Sequence, residues 1–265
     1  MPTSLTSAEW IASYYTATAT AYRDLWAPLL RPAGLRLLEE LPLREARQVV
    51  DIGTGVGSLL PHLRNAAPGA VVIGVDPAAG MLALAPREFP LVVAEVTNLP
   101  LITGACDVAV LAFMLFHVSD PVAALREVRR VLAADGAIGL TTWGPAPSFP
   151  AEDIWNEELD AHGAPPDPAH STRALMDTPD KVTELLGSAG FRTLSLQLEP
   201  WRQLMTPEQV VELRTSLGAT GRRLAALDPE ARDSCVSRAR DRLLVLDEGA
   251  LTDRDDVIYA TATPN

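Results

Sequence analysis

The spacing of apolar residues changes along the chain. Between residues 8 and 41, Trp10, Ile11, Tyr14, Tyr15, Tyr22, Leu25, Trp26, Leu29 and Leu30 recur at three- and four-residue steps, and Pro28 and Pro32 interrupt the pattern. That period predicts two amphipathic helices before any strand. From Gln48 onward the signal becomes short apolar runs between turn residues: Val49 to Ile52, Val71 to Val75, Leu91 to Ala94, Val108 to Phe116 and Ala137 to Thr142. Such runs suit strands buried on both faces of a parallel sheet. The clearest intervening helix is Asp120 to Ala134, with Asp120 as N-cap, Pro121 at the first helical position, Val122, Leu125, Val128, Val131 and Leu132 as the apolar stripe, and Gly136 past the end. Strands alternating with helices predict a doubly wound α/β fold.

After Trp143 the composition shifts: Pro145, Pro147, Pro150, Pro165, Pro166 and Pro168 surround a short acidic helix expected from Ala151 to His162. A helix from Pro179 to Ala189 ends at Gly190 and leads into a strand, Phe191 to Leu198. Two further helices are predicted, Pro207 to Leu217 and Pro229 to Leu246, then a closing strand, Asp256 to Thr263. The expected organisation is one domain over 1–265, with an N-terminal helical cap (1–45), a core (46–144), a mobile Pro-rich crossing segment (145–180) and a helical lid insertion (206–246).

With 265 residues, 48% hydrophobic and 21% charged, the chain can bury a large core. Lys plus Arg total 22 against 34 Asp plus Glu, a formal charge of -12, which argues against nucleic acid as a partner. Cys106 and Cys235 form no CxxC pair and no metal-ligand spacing, which fits a reducing cytoplasmic setting. Residues 1–7 lack the order of a signal peptide, and the longest apolar run is about half of a bilayer span, so neither export nor membrane insertion is expected. Glu152, Asp153, Glu157, Glu158 and Asp160 crowd one helix, and without Cys, His or a cation loop beside them they read as a solvated face; no metal site is expected.

The most informative stretch is Val49-Val50-Asp51-Ile52-Gly53-Thr54-Gly55-Val56-Gly57, a strand running into a glycine turn that opens a helix. Gly53 permits the tight turn, and Gly55 and Gly57 let the backbone approach a ligand. A dinucleotide site would carry GxGxxG, whereas here Ser58 stands where the third glycine would fall. Asp51 beside the turn repels a pyrophosphate and suits an ammonium group, pointing to a ligand with an amino-acid end. Asp76 ends the second strand where a ribose diol would lie, and Glu95 ends the third, where it can accept the amine of an adenine.

In these residues the chain resembles the class I S-adenosylmethionine-dependent methyltransferases, in particular the small-molecule subgroup of ubiquinone and menaquinone biosynthesis. The matching segments are VVDIGTGVGSLLPHL, VIGVDPAAGML, VVAEVTNLPL, CDVAVLAFMLFHVSDPVAALREVRRVLAADGAIGLTTWG and LLGSAGF. The resemblance implies a mostly parallel, seven-stranded Rossmann-like sheet and S-adenosylmethionine as cofactor, leaving as S-adenosylhomocysteine. It implies that Asp51, Gly53, Thr54, Gly55 and Gly57 surround the methionine end, that Asp76 with Pro77 and Met81 holds the ribose side, and that Glu95 and the Val96 amide hold adenine. Ala112, Phe113 and His117 would follow the fourth strand along the cofactor, and Tyr15 and Tyr22 resemble the family's paired tyrosines on a helix that closes over it. Glu95 stands where Asp is usual, and Phe116 replaces the first His of a Leu-His-His run.

His117 and His170 are the candidate general bases, with His162 and His62 read as solvated. Tyr14, Trp143, Phe149, Trp155 and Trp201 are candidates for an aromatic wall against an apolar acceptor. The expected activity is methyl transfer to oxygen, nitrogen or carbon of a small molecule, such as a specialised metabolite or quinone-like aromatic. A non-methylating reaction on the same scaffold, such as a cyclisation, a nicotinamide-dependent oxidoreductase and a noncatalytic binding role are the alternatives. Acceptor and oligomeric state stay open.

Overall fold

Seven strands form one sheet in the computed structural model, which describes residues 7–145, 149–167 and 171–265. They are β1 (Gln48–Ile52), β2 (Val71–Asp76), β3 (Leu91–Val93), β4 (Cys106–Ala112), β5 (Leu132–Trp143), β6 (Phe191–Leu204) and β7 (Thr252–Pro264), in the order β3-β2-β1-β4-β5-β7-β6. β1 pairs in parallel with β2 and β4, β2 with β3, and β4 with β5, whereas β7 runs antiparallel to β5. This is the expected doubly wound, mostly parallel sheet. Its order turns outward from β1 in one direction and β4 in the other, so the ends of these two strands flank the switch point where open α/β sheets receive ligands.

The helices are α1 (Ser7–Ala21), α2 (Ala27–Leu38), α3 (Leu60–Ala66), α4 (Ala79–Leu82), α5 (Pro121–Val131), α6 (Pro150–Ala161), α7 (Pro179–Ser188), α8 (Pro207–Ser216), α9 (Gly218–Ala225) and α10 (Pro229–Leu243). Val50, Ile52, Ala109, Leu111, Ile138 and Leu140 from the central strands share one core cluster with Leu125, Val128 and Val131 of α5 and Leu186 of α7. The stripe at three- and four-residue steps on α5 thus covers the sheet as its spacing required. Asp120 caps α5 by accepting the Ala123 N–H at 2.9 Å.

Several boundaries differ from the sequence reading. Pro32 lies inside α2, and the break falls earlier, at a π-helical turn over Tyr22–Trp26. There the backbone winds one residue wider, and Pro28 follows directly in the first turn of α2. The run Val108 to Phe116 leaves the strand after Ala112, because Phe113 adopts a left-handed φ of 53°, and Leu115–His117 forms a 3-10 turn. α5 stops at Val131, since Leu132 turns extended to pair with Cys106. The segment after Leu217 is a third helix, α9, entered through Gly218 at a φ of +75°. β6 continues to Leu204 through Pro200, a residue tolerated in an edge strand because no ladder donor is needed on the open side.

The described chain forms two compact units, residues 7–145, 171–199 and 256–265 in the first and 149–167 and 200–255 in the second. In the second, Trp155 and Leu159 of α6 are fully buried, and Glu158 between them accepts hydrogen bonds from Arg238 and Arg242 of α10 at 2.9 Å each. Among the described residues no helix is long and apolar enough to cross a membrane.

Candidate functional site

The site begins with the turn after β1. Gly53 and Thr54 donate their backbone N–H groups to the Val75 carbonyl at 2.8 and 3.0 Å, which folds the turn against the end of β2. Gly53, Gly55 and Gly57 all take left-handed φ angles of 71°, 57° and 73°, a conformation that L side chains disfavour. Their surroundings differ. A Cβ on Gly53 would stand 2.5 Å from that of Met114, and one on Gly57 would stand 2.9 Å from Pro86, whereas one on Gly55 would meet only ordinary contacts at 3.6 Å from Met81 and Tyr22. At Gly57 the missing side chain also serves packing, against Pro86 and Ala85.

Two buried carboxylates lie beside this turn. Asp51, 2% exposed, accepts the Thr54 hydroxyl at 2.6 Å. Its burial pushes the carboxyl up to about 7, with the Thr54 hydrogen bond opposing and the nearby Asp76 charge adding. Asp76 accepts the Gly55 N–H at 2.9 Å through one oxygen and the Ala78 N–H at 2.8 Å through the other. Burial raises its carboxyl too, against those two bonds. The Tyr22 hydroxyl is held protonated, first by burial and then by the charges of Asp76 and Asp51. An acid-lined hollow of this kind favours a cation.

A shallow cleft open to solvent gathers Tyr22, Asp51, Gly53, Thr54, Ala112 and Phe113 of the expected site. Its remaining wall was not foreseen: Ala27, Leu30, Arg31 and Gly34 of α2, with Ser58 and Leu59 ahead of α3. Those α2 residues fall at spacings of three and four and share one helix face, but the sequence offered no sign that this face meets a cleft. Phe113 is pinned by its N–H, which donates to the Thr141 carbonyl and hydroxyl at 3.1 Å each, and its ring lies 4.7 Å from that of Trp143. The Trp143 indole in turn lies under the Arg173 guanidinium, 5.9 Å from it.

Tyr15 and Tyr22 contact one another edge to face and pack on a small cluster of Ala19, Ala27, Val56, Ala78 and Met81. The Tyr15 hydroxyl is hydrogen-bonded to Nε2 of His117 at 3.0 Å. Tyr14 stacks on Trp10 at 5.7 Å. Pro77 follows Asp76 at the head of the α4 segment, and Glu95 is exposed beyond the end of β3 with Val96 buried next to it; none of these four is among the residues lining the cleft.

The other candidates are distributed differently. Phe149, Trp155 and Trp201 belong to the second unit, where Phe149 is buried beneath the Arg214 guanidinium and Trp155 has no exposed surface, so it is a core residue with no free face for an acceptor. His162, expected to be solvated, is held by the Glu158 carbonyl at 2.7 Å and the Ser234 hydroxyl at 3.1 Å, and His62 is half-buried on α3. His170 lies outside the described residues. Among the described residues no group of three or more His, Cys, Asp or Glu could hold a metal ion.

The methyltransferase domain family matches residues 50–140. A demethylmenaquinone methyltransferase of Thermus thermophilus is 36% identical over 116 residues, covering 41% of this chain and 53% of that protein. A second, from Beutenbergia cavernae, is 30% identical over 169 residues, 58% of this chain and 70% of the relative. The chain belongs to the S-adenosylmethionine-dependent methyltransferase family. It spans about half the length of several of these curated relatives, at 53%, 54% and 47% of three of them. Among solved methyltransferases, phosphoethanolamine N-methyltransferase 2 of Haemonchus contortus shares the fold, with a TM-score of 0.59 at 18% identity over 100% of this chain and 61% of that one. The family match ends at β5, so the second unit lies outside it.

Proposed function

We propose that the protein is an enzyme that transfers a methyl group from S-adenosylmethionine to a small-molecule acceptor. The observation that carries this reading is Asp51: a buried carboxylate at the foot of a left-handed glycine turn, with its proton affinity raised until a cationic ligand displaces the proton. When bound, the cofactor supplies a sulfonium methyl that is already a strong electrophile. The work left to the chain is to bind, orient and exclude water. Asp51 takes the ammonium of the amino-acid end. Asp76, with both oxygens already anchored on Gly55 and Ala78, keeps further lone pairs for ribose hydroxyls. Glu95 and the Val96 amide serve the adenine, and Tyr15, Tyr22, Pro77 and Met81 close around the nucleoside.

Phe113 on the cleft wall, with Trp143 packed against it, favours a planar or apolar acceptor such as a quinone-like aromatic. The names of the relatives point the same way, since several are demethylmenaquinone methyltransferases. His117 is the base for acceptors that must lose a proton, with the Tyr15 hydroxyl fixing its ring. The test is calorimetric titration of the full chain with S-adenosylhomocysteine and, in parallel, NADH. Micromolar binding of the former alone is expected. Binding of NADH alone, or of neither to folded protein, would overturn the proposal.

A further inference from the structure

The second unit holds a constellation that methyl transfer does not use. His162 closes the C-terminus of α6, with Nδ1 2.7 Å from the Glu158 carbonyl oxygen and Nε2 3.1 Å from the Ser234 hydroxyl of α10. A carbonyl oxygen can only accept, so Nδ1 carries the proton of the neutral ring. Nε2 then holds the lone pair, and the Ser234 hydroxyl donates to it. The backbone of α6 thereby fixes the tautomer that a general base requires.

Ser234 departs from the habit of hydroxyls on helices. Thr18, Thr183 and Thr215 each donate to the carbonyl four residues earlier, at 2.9, 3.0 and 2.8 Å. Ser234, exposed on α10, gives its proton to His162 instead. The Glu158 carboxylate stands 3.9 Å from Nδ1, beyond hydrogen-bond range but close enough to stabilise the imidazolium that forms when the ring takes a proton. Arg238 and Arg242 hold that carboxylate in place at 2.9 Å each. Arg238 lies one turn beyond Ser234 on α10 and spends only its Nε on Glu158, so among the described residues its Nη groups stay available. A nucleophile, a base in contact with it and a third group that orients the base are the parts of covalent catalysis.

From this geometry we infer that Ser234 is the nucleophile of a second site, one that hydrolyses carboxylic esters or thioesters with His162 as base. Ser234 Oγ attacks the carbonyl carbon, and the Oγ–C bond forms as the C–O or C–S bond to the leaving group breaks. The hydroxyl proton passes through Nε2 of His162 to the departing alkoxide or thiolate. Water then attacks the acyl group, its proton goes to Nε2 and on to Ser234 Oγ, and the carboxylic acid leaves. The Nη groups of Arg238 offset the oxyanion of each step, and Glu158 is a positioning residue. All four residues belong to the second unit and lie outside the family match over 50–140, so this activity does not depend on the cofactor.

The test is peptide mass spectrometry of the full chain after exposure to a fluorophosphonate, which bonds to a serine Oγ with loss of fluoride. An adduct is expected on Ser234 and none on Ser237, an exposed serine of the same helix that no described histidine contacts. His162→Gln is expected to slow the labelling roughly 100-fold, since the base is removed. Hydrolysis of p-nitrophenyl acetate by the wild type is expected to disappear in Ser234→Ala, a change on an exposed helical position that circular dichroism should not detect. No adduct on Ser234, equal labelling of Ser237, or ester hydrolysis that persists in Ser234→Ala would each overturn the inference. The comparison of Ser234 with Ser237 is made within the wild-type chain, so it stands even if a variant fails to fold.

Discussion

The Tyr15 hydroxyl and Nε2 of His117 lie 3.0 Å apart although 102 residues separate them in sequence. Their rings meet edge to face at 5.4 Å, and Tyr15 leans in the same way on Tyr22 at 6.0 Å. The bond fastens α1 to the segment that leaves β4. A second fastening stands one residue on, where the Gly80 N–H donates to the Thr16 hydroxyl at 3.3 Å, and Gly80 has no room for a Cβ against the Thr16 backbone, 2.6 Å away. Helix α1 is therefore seated at two points around the glycine turn.

Tyr15→Phe keeps the ring contacts and removes only the hydroxyl. It is expected to cost about 0.5 to 1.5 kcal/mol in urea unfolding. His117→Ala costs more because packing against Phe116 at 4.4 Å is lost too. In a double-mutant cycle the two changes are expected to be non-additive by roughly the value of the bond. Strict additivity would show that the contact contributes nothing.

The sheet was legible because strands buried on both faces must be largely apolar, as Val49, Val50 and Ile52 of β1 and Val72 to Val75 of β2 are. Asp51, Gly53 and Asp76 were legible for a related reason: a charge or a glycine at the end of such a run is costly unless it serves a turn or a ligand. Arg31 was not. An arginine on an amphipathic helix is ordinary, and only the tertiary placement of α2 beside the glycine turn brings it to the cleft. The end of β4 was misread because Phe113, Met114, Leu115 and Phe116 continue the apolar pattern, while the turn is set by a left-handed phenylalanine that no propensity foretells.

Asp51 makes stability and binding oppose one another with pH. Its carboxyl is raised from 3.8 to about 7 in the folded chain, so between those values the folded state keeps a proton that the unfolded chain has lost. The stability contribution of this group therefore falls as pH rises through that window. Asp51→Asn removes the buried charge with little change in shape. Its melting temperature is expected to exceed that of the wild type at about pH 8 and to match it near pH 4. Ligand binding runs the other way: wild-type affinity for S-adenosylhomocysteine rises as pH increases through about 7, and the Asn variant binds weakly with no such rise. An unaltered melting temperature at high pH would contradict the buried charge.

The glycines of the turn should separate by substitution. Gly57→Ala combines a left-handed φ of 73° with clashes on Pro86 and Ala85, so about 1 to 2 kcal/mol of conformational strain adds to about 1 to 3 kcal/mol of overpacking. Gly55→Ala carries the conformational part alone, since its nearest neighbours stand at 3.6 Å. Urea midpoints are expected in the order wild type, Gly55→Ala, Gly57→Ala. The Gly55 variant should lose more cofactor affinity than stability, because its methyl group occupies the approach to the turn. Equal midpoints for both variants would mean that the packing around Gly57 relaxes without cost.

Glu158 tests the second unit on its own. The side chain is 3% exposed on α6, and it holds Arg238 and Arg242 of α10, with the His162 ring 3.9 Å away. Burial favours its neutral form, yet the hydrogen bonds from Arg242 and Arg238 prevail and leave the carboxyl below its ordinary value. A depressed acid contributes stability that is present above the unfolded value of 4.5 and lost as pH falls through the folded one. Glu158→Gln preserves volume and discards the charge. Both arginines keep substantial contact with water, so the cost is that of weakened hydrogen bonds at a buried acceptor, about 1 to 3 kcal/mol near neutral pH, shrinking as the pH falls below the unfolded value of 4.5. Limited proteolysis should find α10 opened first in this variant, with S-adenosylhomocysteine affinity held near the wild-type value because every residue assigned to the cofactor lies in the first unit. Loss of that affinity alongside the loosened helix would contradict the assignment of every cofactor residue to the first unit.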